Sequence, residues 1–275
     1  MHPIETVQHL LTALGVRLDL TTELVVFLLT FTRLLAAILQ APFLGGPSVP
    51  GQVKIGLTAV VALLIVPHAT TGATTSINSL VFVGLIVKEA VIGSVIGLMC
   101  QVVFYGVQAA GTIVDTQRGV NQVSYIAPQL PGHTSALGNL QFQAALVLFL
   151  TANGHHMFLR ALTRSFEILP ADTFPSLGGG PLSVMEHAMR VTAAVLVIAC
   201  QLSAPAVLAL FLVDVAFGCI GKIAGQIRIS NDSHTVKGLV GLSIVFLVMA
   251  TLMAQVQPYF EHMMSDIGEF LRRIS

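Results

Sequence analysis

Charge is what this sequence has least of. Only 9% of its 275 residues are Asp, Glu, Lys or Arg, against about 25% in soluble domains. With 55% hydrophobic residues and a mean hydropathy of +0.86, the chain reads as a membrane protein or as one buried in an assembly. Its 13 basic and 13 acidic residues cancel, which leaves no electrostatic case for nucleic acid or an acidic surface as partner. Cysteine is scarce as well. Cys100, Cys200 and Cys219 are odd in number, widely spaced and embedded in apolar runs, which argues against a disulfide framework or a metal site and for buried small hydrophobes. The start, Met-His-Pro-Ile-Glu, lacks the basic region of a cleavable signal peptide, so insertion is expected to use uncleaved internal segments.

Catalytic signatures are missing too. There is no Gly-x-Ser-x-Gly elbow, phosphate loop or dinucleotide fingerprint, so neither enzymatic activity nor a cofactor is expected. Asn153-Gly154-His155-His156 invites a metal reading. Adjacent histidines, however, point about 100° apart on a helix, and no third ligand or His-Glu-x-x-His stands nearby. Histidines at a membrane-interface helix end fit better.

What the chain does have is long apolar runs. Residues 4–18 form a short amphipathic pattern, expected at an interface or against a partner. Six spanning candidates follow: Glu23–Leu44, the short Val53–Val66, Leu80–Thr112, Leu140–Leu159, Val184–Gly221 with Pro205 as a kink, and Val236–Gln257. From Val256 the pattern becomes that of an amphipathic terminal helix. Gly93–Gly97 and Gly106–Ala110 are small-residue pairs suited to close helix contact. Basic residues divide five against six between alternate sides, so the positive-inside rule does not decide the topology.

The charges inside these runs are the stronger signal. Arg33, Lys88, Glu89, Asp115, Arg118 and Asp214 each fall within or against apolar sequence, where a charge costs about 2.5–3.5 kcal/mol on insertion scales. Two readings stand: a relay, solute site or pore lining, or mutual pairing that locks an assembly of helices. Ala109–Asn139 is the other unusual stretch. Pro128 and Pro131 prevent one continuous helix there. An irregular backbone among membrane helices must be buried in protein or line a watery cavity. It is either a connector or a segment that lines or blocks a passage.

Taken together, several pieces resemble the FliR/SctT export-gate proteins of flagellar and virulence-associated type III secretion systems. They are Pro42 through Val49-Pro50-x-x-Val53-Lys54-Ile55-Gly56-Leu57, Lys88-Glu89-Ala90-Val91-Ile92-Gly93, Gly111-x-x-x-Asp115-x-Gln117-Arg118-Gly119, Leu137-Gly138-Asn139 and Asn153-Gly154-His155-His156. The resemblance implies an all-α membrane-type protein with long kinked helices, acting as one export-gate domain over residues 1–275. Residues 1–183 would form a FliP/SctR-like part. Residues 184–275 would form a FliQ/SctS-like hairpin plus the amphipathic terminal helix.

It implies further that Gly119-Val120-Asn121-Gln122-Val123-Ser124-Tyr125-Ile126-Ala127-Pro128-Gln129-Leu130-Pro131 plugs the closed channel, with Asp115, Gln117 and Arg118 as its anchor. Arg33, Lys88, Glu89 and Asp214 would be buried charges used in assembly. The implied partners are FliP/SctR-like, FliQ/SctS-like and FlhB/SctU-like subunits and unfolded protein cargo, in the bacterial inner membrane. The chain departs from the family pattern at Ala127-Pro128, where Asp-Pro is usual, and at Gln226-Ile227-Arg228 and Thr235-Val236-Lys237 in the hairpin turn. A secondary transporter, which also uses broken helices and internal charges, stays as the alternative; the inverted repeat it should show is not visible.

Overall fold

The computed structural model describes residues 20–46, 49–69, 79–119, 135–175, 180–223 and 229–274. All regular structure among them is helical, in keeping with the all-α expectation. In order the helices are α1 (Leu20–Gln40), α2 (Pro42–Gly45), α3 (Gly51–Ile65) with a following 3-10 turn (Val66–His68), α4 (Ser79–Gln117), α5 (Ala136–Thr151), α6 (Gly154–Ile168), α7 (Gly180–Ile223) and α8 (Ile229–Ile274). The amphipathic segment at residues 4–18, the stretch from Val120 to Pro131 and the Gln226-Ile227-Arg228 turn lie outside the described residues. Thr235-Val236-Lys237 falls in the first turns of α8.

Three helices among the described residues are long and apolar enough to cross a membrane: Thr22–Gln40, Ser79–Gln117 and Met185–Ile223. Gly51–Ile65 and Ala136–Thr151 are apolar but shorter. The 39 residues of α4 would extend ~58 Å at helical rise, nearly twice the roughly 30 Å of a hydrocarbon core. Leu140–Leu159 is not one span. The helix stops at Ala152-Asn153, where Asn153 takes a positive φ of 58°, and α6 restarts at Gly154. A Cβ on Gly154 would collide with the Phe149 ring. Asn-Gly is thus turn chemistry, since asparagine tolerates left-handed backbone better than other side chains and glycine takes the crowded position. Asn153→Ala should lower stability by about 1 kcal/mol, while Asn153→Gly should be close to neutral. Thermal unfolding of the detergent-solubilised protein checks both.

The terminal amphipathic segment is not a separate helix either. α8 runs unbroken through Pro258 for 46 residues. Pro258 removes one helical hydrogen bond, and the burial of Phe260, Met263, Ile267, Phe270, Leu271 and Ile274 beyond it offsets that loss. Of the cysteines, Cys100 is buried as expected, but Cys200 and Cys219 are exposed on α7.

Two compact units divide the described chain. One holds residues up to Cys100, His156–Glu186 and those from Met264 onward; the other holds Gln101–His155 and His187–Met263. In the first, α1 packs on α3, and α4 approaches α1 through two glycines. A Cβ on Gly93 would strike the Arg33 carbonyl, and one on Gly97 would come within 2.8 Å of Gln40 Cβ and 2.9 Å of the Ala37 carbonyl. Leu34, Ile38, Ile96, Phe158 and Leu162 are fully buried there.

In the second unit, Val114, Leu137, Ala206, Leu210 and Ile244 join α4, α5, α7 and α8 in one apolar cluster. Phe104, Phe149 and Phe260 form an aromatic group with centroids 4.9–5.5 Å apart. Gly106 and Gly111 admit neighbours closely. A Cβ on the first would lie 2.8 Å from Ile198 Cγ2, and one on the second 2.5 Å from the Gly138 Cα.

Candidate functional site

Two charged clusters stand out, one in each unit. The first is built around Arg33, whose side chain is fully buried in the middle of α1. An arginine has five N–H donors in a rigid fork, and here all five find acceptors. Nε and Nη2 grip the Glu89 carboxylate, with Nη2–Oε1 at 2.8 Å. Nη1 donates to the Ser165 carbonyl at 3.0 Å and to Ser165 Oγ at 3.1 Å, and Nη2 also reaches the Leu169 carbonyl at 2.9 Å. The Phe166 ring closes the remaining side, with its centroid 4.0 Å from the guanidinium carbon.

Lys88 completes the cluster. Its Nζ lies 2.6 Å from Glu89 Oε1 and donates to the carbonyls of Pro170, Ala171 and Thr173 at 2.8–3.0 Å. Asp172 lies near enough to act electrostatically on Lys88, so two basic side chains face two acidic ones. The carbonyl partners have a common origin. α6 ends at Ile168. Ser165 lies in its last turn, and its carbonyl also accepts from the Leu169 N–H. Leu169, Pro170, Ala171 and Thr173 follow directly, in a non-helical segment that a proline cannot continue as helix. Two cations at that end satisfy these oxygens and complement the helix dipole. The cluster therefore ties α1 and α4 to the C-terminus of α6.

A smaller contact of the same kind serves the short helix α2. Lys54 Nζ donates to the Gly45 carbonyl at 2.8 Å.

The second cluster centres on Asp115, 1% exposed near the end of α4. One oxygen accepts from Ser135 Oγ at 2.6 Å and from the Leu137 backbone N–H at 3.0 Å. The other accepts from Arg118 Nη1 at 3.2 Å. Ser135 is the N-cap of α5, its hydroxyl accepting from the Gly138 N–H at 2.8 Å. Serine and aspartate together thus satisfy orphan donors at the start of α5, where a negative charge also suits the dipole. Alongside, Gly111 lies against Gly138, and Gln108 Nε2 donates to Asn139 Oδ1 at 3.2 Å. The Gly111…Asp115 and Leu137-Gly138-Asn139 pieces of sequence are two halves of one joint.

Gly119, with φ of 78°, follows the end of α4, and Ser135 caps the start of α5. Asp115 therefore pins the two stems together, forming a neck for the intervening residues.

Not every expected residue joins these clusters. Gln117 turns from Asp115 to Asp214 on α7, with Nε2 3.4 Å from Oδ2. Asp214 is half-buried rather than buried, on a face of α7 whose neighbours Leu212 and Val215 are 60% and 45% exposed. Ser165, Leu169, Ala171 and Ser135 were not singled out from sequence. The Leu169-Pro170 stop and a serine just before an apolar helix were the signals that could have found them.

The family model for bacterial export proteins, family 1, matches residues 24–263. The flagellar biosynthetic protein FliR of Escherichia coli (strain K12) is 30% identical over 244 residues, covering 88% of this chain and 89% of that protein. The surface presentation of antigens protein SpaR of Salmonella typhimurium is 28% identical over 227 residues, 82% of this chain and 83% of SpaR. The Yop proteins translocation protein T of Yersinia pestis is 25% identical over 233 residues, 82% of this chain and 88% of that protein.

Proposed function

We propose, from the premise that this chain belongs to the bacterial export proteins, family 1, that it is a structural and channel-forming subunit of a type III secretion export gate. In this reading it works in the bacterial inner membrane, beside FliP/SctR-like, FliQ/SctS-like and FlhB/SctU-like subunits, and unfolded protein is its cargo. Its role is structural, not catalytic. Residues 119–131 plug the resting passage, and the Arg33–Lys88–Glu89 cluster holds α1, α4 and α6 together for assembly.

The observation that carries the plug assignment is the neck at Asp115. A channel stopper must be displaceable by a passing chain yet return to the same place. A sequence held at both stems by one buried carboxylate meets the second requirement. Its composition meets the first: Val120, Val123, Tyr125, Ile126 and Leu130 supply apolar bulk, while Pro128 and Pro131 keep it from becoming helix.

Shortening Val120–Leu130 is expected to leave the complex assembled and to raise ion leakage across the membrane. The measurement is membrane conductance, or sensitivity of cells to small toxic molecules, with assembly followed by co-purification of the partner subunits. An assembled complex as tight as wild type would reduce the stretch to a connector.

A further inference from the structure

Beyond Asp115, the neck has a second support that comes from α8. Gly241 is buried in that helix, and a Cβ there would collide with Arg118 Nε and stand 2.8 Å from its Cδ and 3.1 Å from its Cγ. Glycine is disfavoured in a helix interior relative to alanine, so the close approach gives this one a reason to be there. Gly238, one turn earlier on the same helix, has nothing within 4 Å of a Cβ. The helix cannot simply back away from Arg118. Val240 and Ile244, on either side of Gly241, pack with Val114, Leu137, Ala206 and Leu210. The arginine must yield instead. Among the described residues its only polar hold is Nη1 on Asp115, at 3.2 Å, and its Nε is buried without a hydrogen-bond partner there.

We infer that Gly241 is a positioning residue: it is the seat that keeps the Arg118 side chain on Asp115, and through it α8 sets the geometry of the neck. This rests on the reading of residues 119–131 as a plug. α7 contributes in parallel through Asp214 and Gln117. The neck is then fastened to α7 and α8 as well as to α5, so a shift of either helix would be felt at the stems of the plug. A side chain added at 241 pushes the guanidinium off the carboxylate and loosens the stems without removing any charge.

The test uses the full-length chain in its assembled complex, with Gly241→Ala, Gly241→Ser, Gly238→Ala, Arg118→Ala and the double variant Gly241→Ala/Arg118→Ala. The first readout is the unfolding temperature of the purified complex. Gly241→Ala and Gly241→Ser should lower it by a few degrees, Gly238→Ala should not lower it, and Gly241→Ala should have no further effect once Arg118 is alanine. Additive losses in the double variant would overturn the seat. The second readout is ion leakage, expected to rise several-fold in Gly241→Ala and to remain at wild-type level in Gly238→Ala, with the Val120–Leu130 deletion alongside. If the deletion leaks and Gly241→Ala does not, Gly241 does not position the plug and the inference fails. If neither leaks while the unfolding temperatures still couple, the plug assignment fails and the seat for Arg118 stands.

Discussion

Glu89→Ala is expected to reduce recovery of folded chain from membranes to a small fraction of wild type. The variant leaves Arg33 fully buried with Nε and part of Nη2 unmatched, and it removes the carboxylate that lies 2.6 Å from Lys88 Nζ. Removing one partner of a buried ion pair typically costs about 3–5 kcal/mol, comparable to the whole net stability of many domains. Two cations are stranded here, so the upper end of that range applies. Glu89→Gln keeps the shape and one acceptor oxygen but not the charge, and it should fall between alanine and wild type. Arg33→Lys should resemble the alanine variant. A lysine has three donors for five acceptor contacts and cannot form the paired grip on the carboxylate. Yield and thermal stability in detergent rank the four proteins; a Glu89→Ala chain as abundant and stable as wild type would show that the pairing is dispensable.

The long apolar helices were legible because their signal is local. Composition and run length suffice for α1, α4 and α7, and the Gly93–Gly97 spacing announces a close contact before its partner is known. Boundaries were less so. The run Leu140–Leu159 is continuous in hydropathy, and what ends α5 inside it is a positive φ at Asn153 backed by the Phe149 ring against Gly154. Phe149 is five residues upstream of the glycine it crowds, and hydropathy cannot see such a clash. The opposite error occurred at Val256, read as the start of a terminal amphipathic helix, where burial of the apolar face beyond Pro258 carries α8 through unbroken.

Among the charges, Arg33, Lys88 and Glu89 were visible as anomalies in apolar sequence, and so was Asp115. Their meaning was not, because their partners are mostly backbone carbonyls and N–H groups, which have no residue identity to read. Ser165, Leu169, Pro170, Ala171 and Thr173 serve Arg33 and Lys88 chiefly by lying at the end of α6. The structure shows these charges pairing within the chain. The anchor was legible only in part: Asp115 and Arg118 meet, while Gln117 faces Asp214, because successive residues on a helix point in different directions.

Asp115→Ala is expected to have the second large effect, and one of a different kind. The carboxylate accepts from Ser135, Leu137 and Arg118. Its loss leaves one buried backbone donor and one mostly buried guanidinium without their acceptor, each worth about 1–3 kcal/mol. The apolar cluster of Val114, Leu137, Ala206, Leu210 and Ile244 remains, so α4, α5, α7 and α8 should still pack. The damage falls on the neck, where the stems of residues 120–134 are no longer held together. Asp115→Asn separates charge from shape. Its amide has one acceptor oxygen, so its NH2 must face either Arg118 or the Leu137 N–H, donor against donor.

Leakage should therefore rise in the order wild type, Asp115→Asn, Asp115→Ala, with subunit co-purification much less affected than in Glu89→Ala. Conductance and co-purification measured on the same membranes give both quantities. Should Asp115→Ala lose assembly as completely as Glu89→Ala while its residual complexes stay tight, the carboxylate would be a strut of the fold and not the fastening of a plug.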